Sequence, residues 1–139
     1  MTITVVPHFH YDVAYLRTFE EYLPLCFENL REAIRILDAE PEYRFLIEQA
    51  ILLEEFRVRC PEEFARLRAC AERGQVEVAC GMWTMPDMNF PSGESLVRQA
   101  RVGKAWVKEH LGLEVTTCWI ADCRGHPATL PQILRQCGY

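Results

Sequence analysis

Short β-branched or apolar runs alternate with helical segments along this chain, and that alternation restricts the fold more than any other feature. Residues 2–6 (TITVV), 43–47 (YRFLI), 75–79 (QVEVA) and 115–120 (VTTCWI) read as buried strands. Between the first two, Leu23, Phe27, Leu30, Ile34 and Leu37 recur at steps of four, three, four and three, one face of a helix. Pro24 fits best in a first turn, so the regular helix is expected to begin there rather than at Phe19. Residues 48–58 are helical in composition. Pro61 opens a further helix that Gly74 is placed to end in a left-handed conformation. Ser92 is a candidate N-cap, with Glu94 in the first turn of a helix running to about Leu111 and stopped by Gly112. A last helix is expected over 128–137. The order β-α-β-α-α-β-α-β-α predicts an α/β fold, a parallel sheet with flanking helices joined by right-handed crossovers. Cys137-Gly138-Tyr139 reads as a helix stop followed by the first residue of another strand, so the chain is expected to be unfinished, with an open sheet edge.

Composition narrows the function classes. A net charge of −5 argues against nucleic acid or an anionic membrane surface as the main partner, since both bind to positive fields. The basic row Arg98, Arg101, Lys104 and Lys108 has the spacing of a solvated helix face. Seven cysteines, an odd number without a C-x-x-C pair, predict reduced thiols and a cytoplasmic protein. The first residues have neither a basic region nor an apolar run long enough for a signal peptide, and no stretch reaches the length of a membrane-spanning helix.

Three constellations carry chemistry. After the first run comes PHFHYD, and in an extended chain His8, His10 and Asp12 point the same way. Two imidazoles and a carboxylate are ligand types that zinc takes, although polar residues at a strand end bonded to backbone have the same look. After the fourth run comes ADCRGH, which sets Asp122 at the same rim of a parallel sheet, where ligands collect. Taken alone, Asp122 reads equally as a turn aspartate. The third constellation is the loop GMWTMPDMN, where Trp83 and Asp87 suit a sugar, while Trp83 suits a cap on the core just as well.

Four stretches, VVPHFHYDVAYLRTFEEY, RFLIEQAILLEEF, GMWTMPDMNFPSGESLVRQ and WIADCRGHPATLPQIL, resemble glycoside hydrolase family 38, the α-mannosidases, in order and along nearly all of the chain. The form GMW-to-SGESLVRQ looks more like the bacterial and cytosolic branch of that family than the secretory one. The resemblance implies the N-terminal portion of a seven-stranded (β/α) barrel-like catalytic domain. It implies Zn2+ as cofactor, with His10 and Asp12 as ligands and Asp122 as both ligand and nucleophile. The implied reaction is retaining hydrolysis of terminal α-mannosyl residues through a covalent glycosyl-enzyme. The implied partners are an α-mannoside or mannosyl-oligosaccharide, and either the C-terminal part of the enzyme or a second copy of the chain. His8, Tyr15, Trp83, Asp87 and Arg124 are the candidates for substrate contact.

Two positions depart from the family pattern. Tyr15 stands where the family has Trp, and Arg124 where it has Phe, close enough in sequence to pair with Asp122 and compete with a metal. The family's remaining zinc-ligand histidine and its acid/base carboxylate lie beyond residue 139, and His8 and His126 are candidates to replace that ligand. The alternative reading is a non-catalytic mannosidase remnant that acts as a zinc- or sugar-binding or interaction module. A polysaccharide deacetylase on a related scaffold shares the metal chemistry but leaves PSGESLVRQ unexplained.

Overall fold

The computed structural model describes residues 1–139. The elements follow in chain order: α1 (Phe19–Ala39), β1 (Phe45–Gln49), α2 (Ala50–Arg59), α3 (Pro61–Glu72), β2 (Val76–Met82), α4 (Gly93–Leu111) and α5 (Leu130–Gln136). Strands β1 and β2 pair in parallel, Phe45 opposite Val76 and Ile47 opposite Val78, with the crossover made by α2 and α3. The α/β class and the parallel pairing are therefore as expected.

Two of the four expected strands do not form. Residues 2–6 are exposed, Ile3 and Val5 among them, and the segment bonds to the sheet from Pro7 onward. There the Leu46 N–H donates to the Pro7 carbonyl at 3.0 Å, and His8 forms a single parallel bridge with Leu46. Residues 115–120 lie on the other side, where the Cys80 N–H donates to the Thr117 carbonyl at 2.8 Å without a continuing ladder. Each segment has one neighbour to pair with, and one bond does not fix a strand. The regular sheet accordingly has two strands, with these segments lying along its flanks.

The helices follow local chemistry. Thr18 caps α1 in a capping box with Glu21, so the helix starts at Phe19 and not at Pro24. Pro24 sits inside the helix on its exposed side, where its missing N–H costs least. Pro61 opens α3, the Ser92 hydroxyl accepts from the Ser95 N–H at the start of α4, and Gly112 ends α4 at φ 71°, all as the sequence indicates. β1 begins and ends two residues later than expected, and β2 runs on into the GMW stretch. Along α4, Lys104 turns away from solvent to donate to the Cys137 and Gly138 carbonyls, at 2.8 and 2.9 Å, at the end of α5.

The larger core joins the inner faces of α1, α2 and α3 to the strands, with Leu30, Leu53, Phe56 and Leu67 wholly buried. A smaller one, built on Met82, Met88, Leu96 and Ala100, fills the space between β2, α4 and α5. The two cores meet at a bulge. A step of two along β1, from Ile47 to Gln49, faces a step of four along β2, from Val78 to Met82, and within that step Cys80 and Gly81 take φ values of 80° and 58°. Helix α4 crosses this bulge at Gly103, where a Cβ would stand 2.2 Å from the Gly81 carbonyl oxygen. The helix reaches the sheet so closely because Gly103 has no side chain. No helix is long and apolar enough to cross a membrane.

Candidate functional site

The carboxyl ends of β1 and β2 open into a cleft of about 160 Å³, lined by three loops. The loop after the N-terminal segment contributes His10, Asp12 and Tyr15, the loop after β2 contributes Asp87, and the loop after residues 115–120 contributes Asp122 and Arg124. The bulge lies just below, in keeping with the frequency of bulges beside active sites.

Ligand atoms of His10, Asp12 and Asp122 all lie within 4.8 Å of one another. His10 Nε2 is 3.3 Å from Asp12 Oδ1. Asp122 is exposed at the rim in the left-handed backbone region, φ 51°, which a short polar side chain tolerates. One nitrogen and two oxygen donors suit zinc, whose bonds to such atoms are about 2 Å long, so ligands on one ion stand within roughly 4 Å of each other. The three stand about 1 Å wider than ligands sharing a single cation would. The residues present fit the metal that the sequence resemblance implies.

The other expected site residues divide. Tyr15, Asp87 and Arg124 line the cleft, and no ion pair joins Arg124 to Asp122. Asp87 also shapes its own loop, accepting at its side chain from the Asn89 N–H and at its carbonyl from the Phe90 N–H. His8 does not join the cluster. Its ring lies edge-on to Trp119, with centroids 5.8 Å apart, and its Nδ1 is 3.2 Å from Glu48 Oε1. Trp83 packs against the larger core and does not line the cleft, so its side chain caps the core. His126 is exposed and outside the cluster.

Two residues that the sequence reading passed over sit directly beneath the cleft. Glu48 is buried, and its Oε2 lies 2.9 Å from His10 Nδ1. Gln49, also buried, donates from Nε2 to the Tyr11 carbonyl at 2.6 Å and accepts at Oε1 from the Met85 N–H at 2.8 Å, tying two of the cleft loops to the end of β1. The signal was present in FLIEQ: two polar residues closing an apolar strand need buried partners. The third loop is tied to the second by Asn89, which donates to the Arg124 carbonyl at 3.3 Å, and by the Cys123 thiol on the Pro86 carbonyl. Burial pushes the Cys123 thiol up.

Residues 1–139 match the description "Glycosyl hydrolases family 38 N-terminal domain" from end to end. The chain belongs to glycosyl hydrolase family 38. It is 35% identical over 137 residues to "Alpha-mannosidase 2C1" of Homo sapiens, a match that takes in 99% of this chain and 13% of that protein. It is 30% identical over 141 residues to "Alpha-mannosidase 2" of Drosophila melanogaster, covering all of this chain and again 13% of the relative. The chain thus spans about an eighth of the length of these family members. In structure it superposes on an alpha-mannosidase from Enterococcus faecalis V583 with a TM-score of 0.87 at 21% identity, over 96% of this chain and 15% of that one. At that identity the likeness speaks for the fold, which this family 38 chain shares.

Proposed function

We propose that residues 1–139 form the nucleophile-bearing N-terminal portion of a zinc-dependent, retaining α-mannosidase catalytic domain. The observation that carries the reading is the convergence of His10, Asp12 and Asp122 from two separate loops onto one cleft. The curated relatives, named as alpha-mannosidases, supply the substrate class, a terminal α-mannosyl residue. The same proposal treats the flanking segments around residues 2–8 and 115–120 as outer strands of a larger (β/α) barrel, completed by further sequence or by a partner chain. It also places the protein in the cytoplasm, with its thiols reduced.

In this reading His10, Asp12 and Asp122 hold the zinc, which when bound supplies positive charge beside the carboxylates and a position for sugar hydroxyls. Asp122 stands exposed at the rim and attacks the anomeric carbon as the aglycone oxygen departs. Water then cleaves the glycosyl-enzyme ester at the same carbon, and the two inversions give net retention. Asp12 stays beside His10, Asp87 and Tyr15 bound the space that the sugar occupies, and Arg124 flanks the rim without occupying the Asp122 carboxylate.

The family resemblance puts the acid/base carboxylate beyond residue 139. Such a group typically contributes about 10²–10⁴-fold by protonating the leaving oxygen. The 139-residue chain alone is therefore expected to bind zinc and to show little or no turnover.

The test is metal content together with turnover of an aryl α-mannoside. The expected result is about one zinc per chain, lost in His10→Ala. Zinc content unaffected by His10→Ala, or no zinc at all after loading, would overturn the reading. Zinc binding with no turnover even when the chain is joined to the C-terminal part of a family 38 enzyme would make the chain a binding module.

A further inference from the structure

A carboxylate seldom lies in the buried stretch of a strand without partners, because removing it from water is costly. Glu48 is 2% exposed and sits at the irregular step between Ile47 and Gln49. Both imidazoles of the H-x-H sequence turn the same nitrogen towards it: His10 Nδ1 is 2.9 Å from Oε2, and His8 Nδ1 is 3.2 Å from Oε1. Only the His10 contact has good hydrogen-bond geometry, and Oε1 is left without a well-formed partner. Glu48 is therefore not placed to satisfy both histidines equally. It engages His10 and leaves His8 to pack on Trp119.

The ring geometry gives this contact a consequence. With the Glu48 carboxylate oxygen as the acceptor, His10 Nδ1 carries the proton in the bond between them. In a neutral imidazole the lone pair then belongs to Nε2, which is the nitrogen that faces Asp12 and the cleft. The neutral side chain of a histidine in water favours the opposite form, with the proton on Nε2, so the protein must impose this one. Ligand histidines commonly donate their second ring N–H to a carboxylate in this manner, and the partner fixes ring orientation as well as tautomer.

We propose that Glu48 is a positioning residue for the candidate metal centre: from inside β1 it fixes His10 with Nδ1 protonated and aims the Nε2 lone pair at the space shared with Asp12 and Asp122. The inference rests on the metal-binding reading for its purpose, but its first consequence can be measured without metal.

In the metal-free chain at about pH 8, long-range proton–nitrogen correlation spectra report the tautomer, with His10 assigned by the signals that His10→Ala removes. Nδ1–H at His10 is expected, and Nε2–H would overturn the proposal. Glu48→Gln keeps the side chain's size and removes its charge. It should release the tautomer towards Nε2–H and weaken zinc binding, titrated against a competing chelator, by about 10- to 100-fold. Glu48→Asp, which keeps the charge but withdraws it by one methylene, should also lose affinity. A Glu48→Gln chain that melts at lower temperature yet keeps both the Nδ1–H signal and zinc affinity within about twofold would make Glu48 merely structural and sink the idea. If Glu48→Gln does not fold, the parent spectrum still decides. If the parent binds no zinc, the function proposed above fails, while the tautomer still answers for Glu48.

Discussion

The half of the molecule around α1, α2 and α3 and the half that carries the cleft are held together by different forces. In the first, side chains such as Leu30, Leu53, Phe56 and Leu67 are wholly buried, and the surface above them is laced by ion pairs such as Arg59 with Glu20 and Arg66 with Asp38. In the second, Tyr15, Asn89, Phe90, Asp122 and His126 are all exposed, and the loops are kept in place by a few side-chain bonds from Gln49, Gln99 and Asn89 to backbone. Apolar burial is cooperative and insensitive to any one polar group, whereas a loop held by single bonds can change its ligands without unfolding the protein. Stability and chemistry should therefore respond to different mutations.

The strongest way to break that separation is Phe56→Ala. Phe56 is wholly buried in the larger core and packs on Phe27 with ring centroids 5.3 Å apart. Its loss should cost about 3–5 kcal/mol, read from denaturant unfolding. Zinc affinity measured well below the unfolding midpoint should stay near that of the parent, since Phe56 does not line the cleft. A large loss of affinity in the folded protein would show that the two halves are not independent.

Gly103→Ala tests the seam where the halves meet. Its Cβ would be 2.2 Å from the Gly81 carbonyl oxygen and 2.5 Å from both the Met82 carbonyl carbon and the Trp83 nitrogen, all backbone atoms that cannot rotate aside. Overpacking of this kind typically costs about 1–3 kcal/mol. Because α4 also holds the cleft loop through the Gln99 side chain on the Thr84 N–H, this substitution should lower both the melting temperature and zinc affinity. A change in one alone would mean that the bulge transmits nothing to the loop.

Much of the packed half is legible in the sequence. The step pattern of Leu23, Phe27, Leu30, Ile34 and Leu37 names the buried face of α1, and Pro61, Ser92 and Gly112 mark real helix ends. TITVV and VTTCWI mislead because strand-forming residues report what a segment favours, while a strand also needs neighbours to pair with, and these two lie at the flanks. In the cleft the aspartates and His10 are visible from their spacing after strand-like runs. Spacing alone includes His8 equally, and the fold separates the two by turning that ring onto Trp119. Glu48, Gln49 and Gly103 escape the reading for a shared reason: each matters through what approaches it from a distant part of the chain.

A smaller effect is expected from acid. The Glu54 carboxylate accepts from Arg57 and from the Trp106 indole N–H at 3.0 Å, and the Arg57 hydrogen bond, ahead of the indole's, holds its carboxyl below the ordinary value of 4.5. A depressed folded value means that the unfolded chain takes up the proton first. The stabilisation is thus complete above the ordinary value and is lost as pH falls through the lower folded one. Glu54→Gln should remove about 1 kcal/mol at neutral pH and should flatten the loss of stability below about pH 4.5. An unchanged acid limb in urea unfolding would show that the bonds from Arg57 and Trp106 to Glu54 contribute nothing.

The smallest effect on stability is expected where the effect on chemistry is largest, at Asp122. The residue is exposed, forms no ion pair, and holds φ at 51°, a region that asparagine enters as readily as aspartate. Asp122→Asn should therefore change unfolding free energy by no more than about 0.5 kcal/mol. The same substitution removes a charged donor from the cluster and replaces the carboxylate oxygen proposed to attack the sugar with an amide. Zinc affinity should fall clearly, and whatever turnover the completed enzyme shows should disappear. The opposite outcome, a destabilised protein that still binds zinc as well as the parent, would mean that Asp122 shapes its loop and that His10 and Asp12 hold the metal without it. Asp122→Gly separates these roles further, because glycine accepts the left-handed backbone and offers no ligand at all. If Asn and Gly lose zinc to similar extents with little change in stability, the carboxylate, and not the turn it occupies, is what the cleft requires.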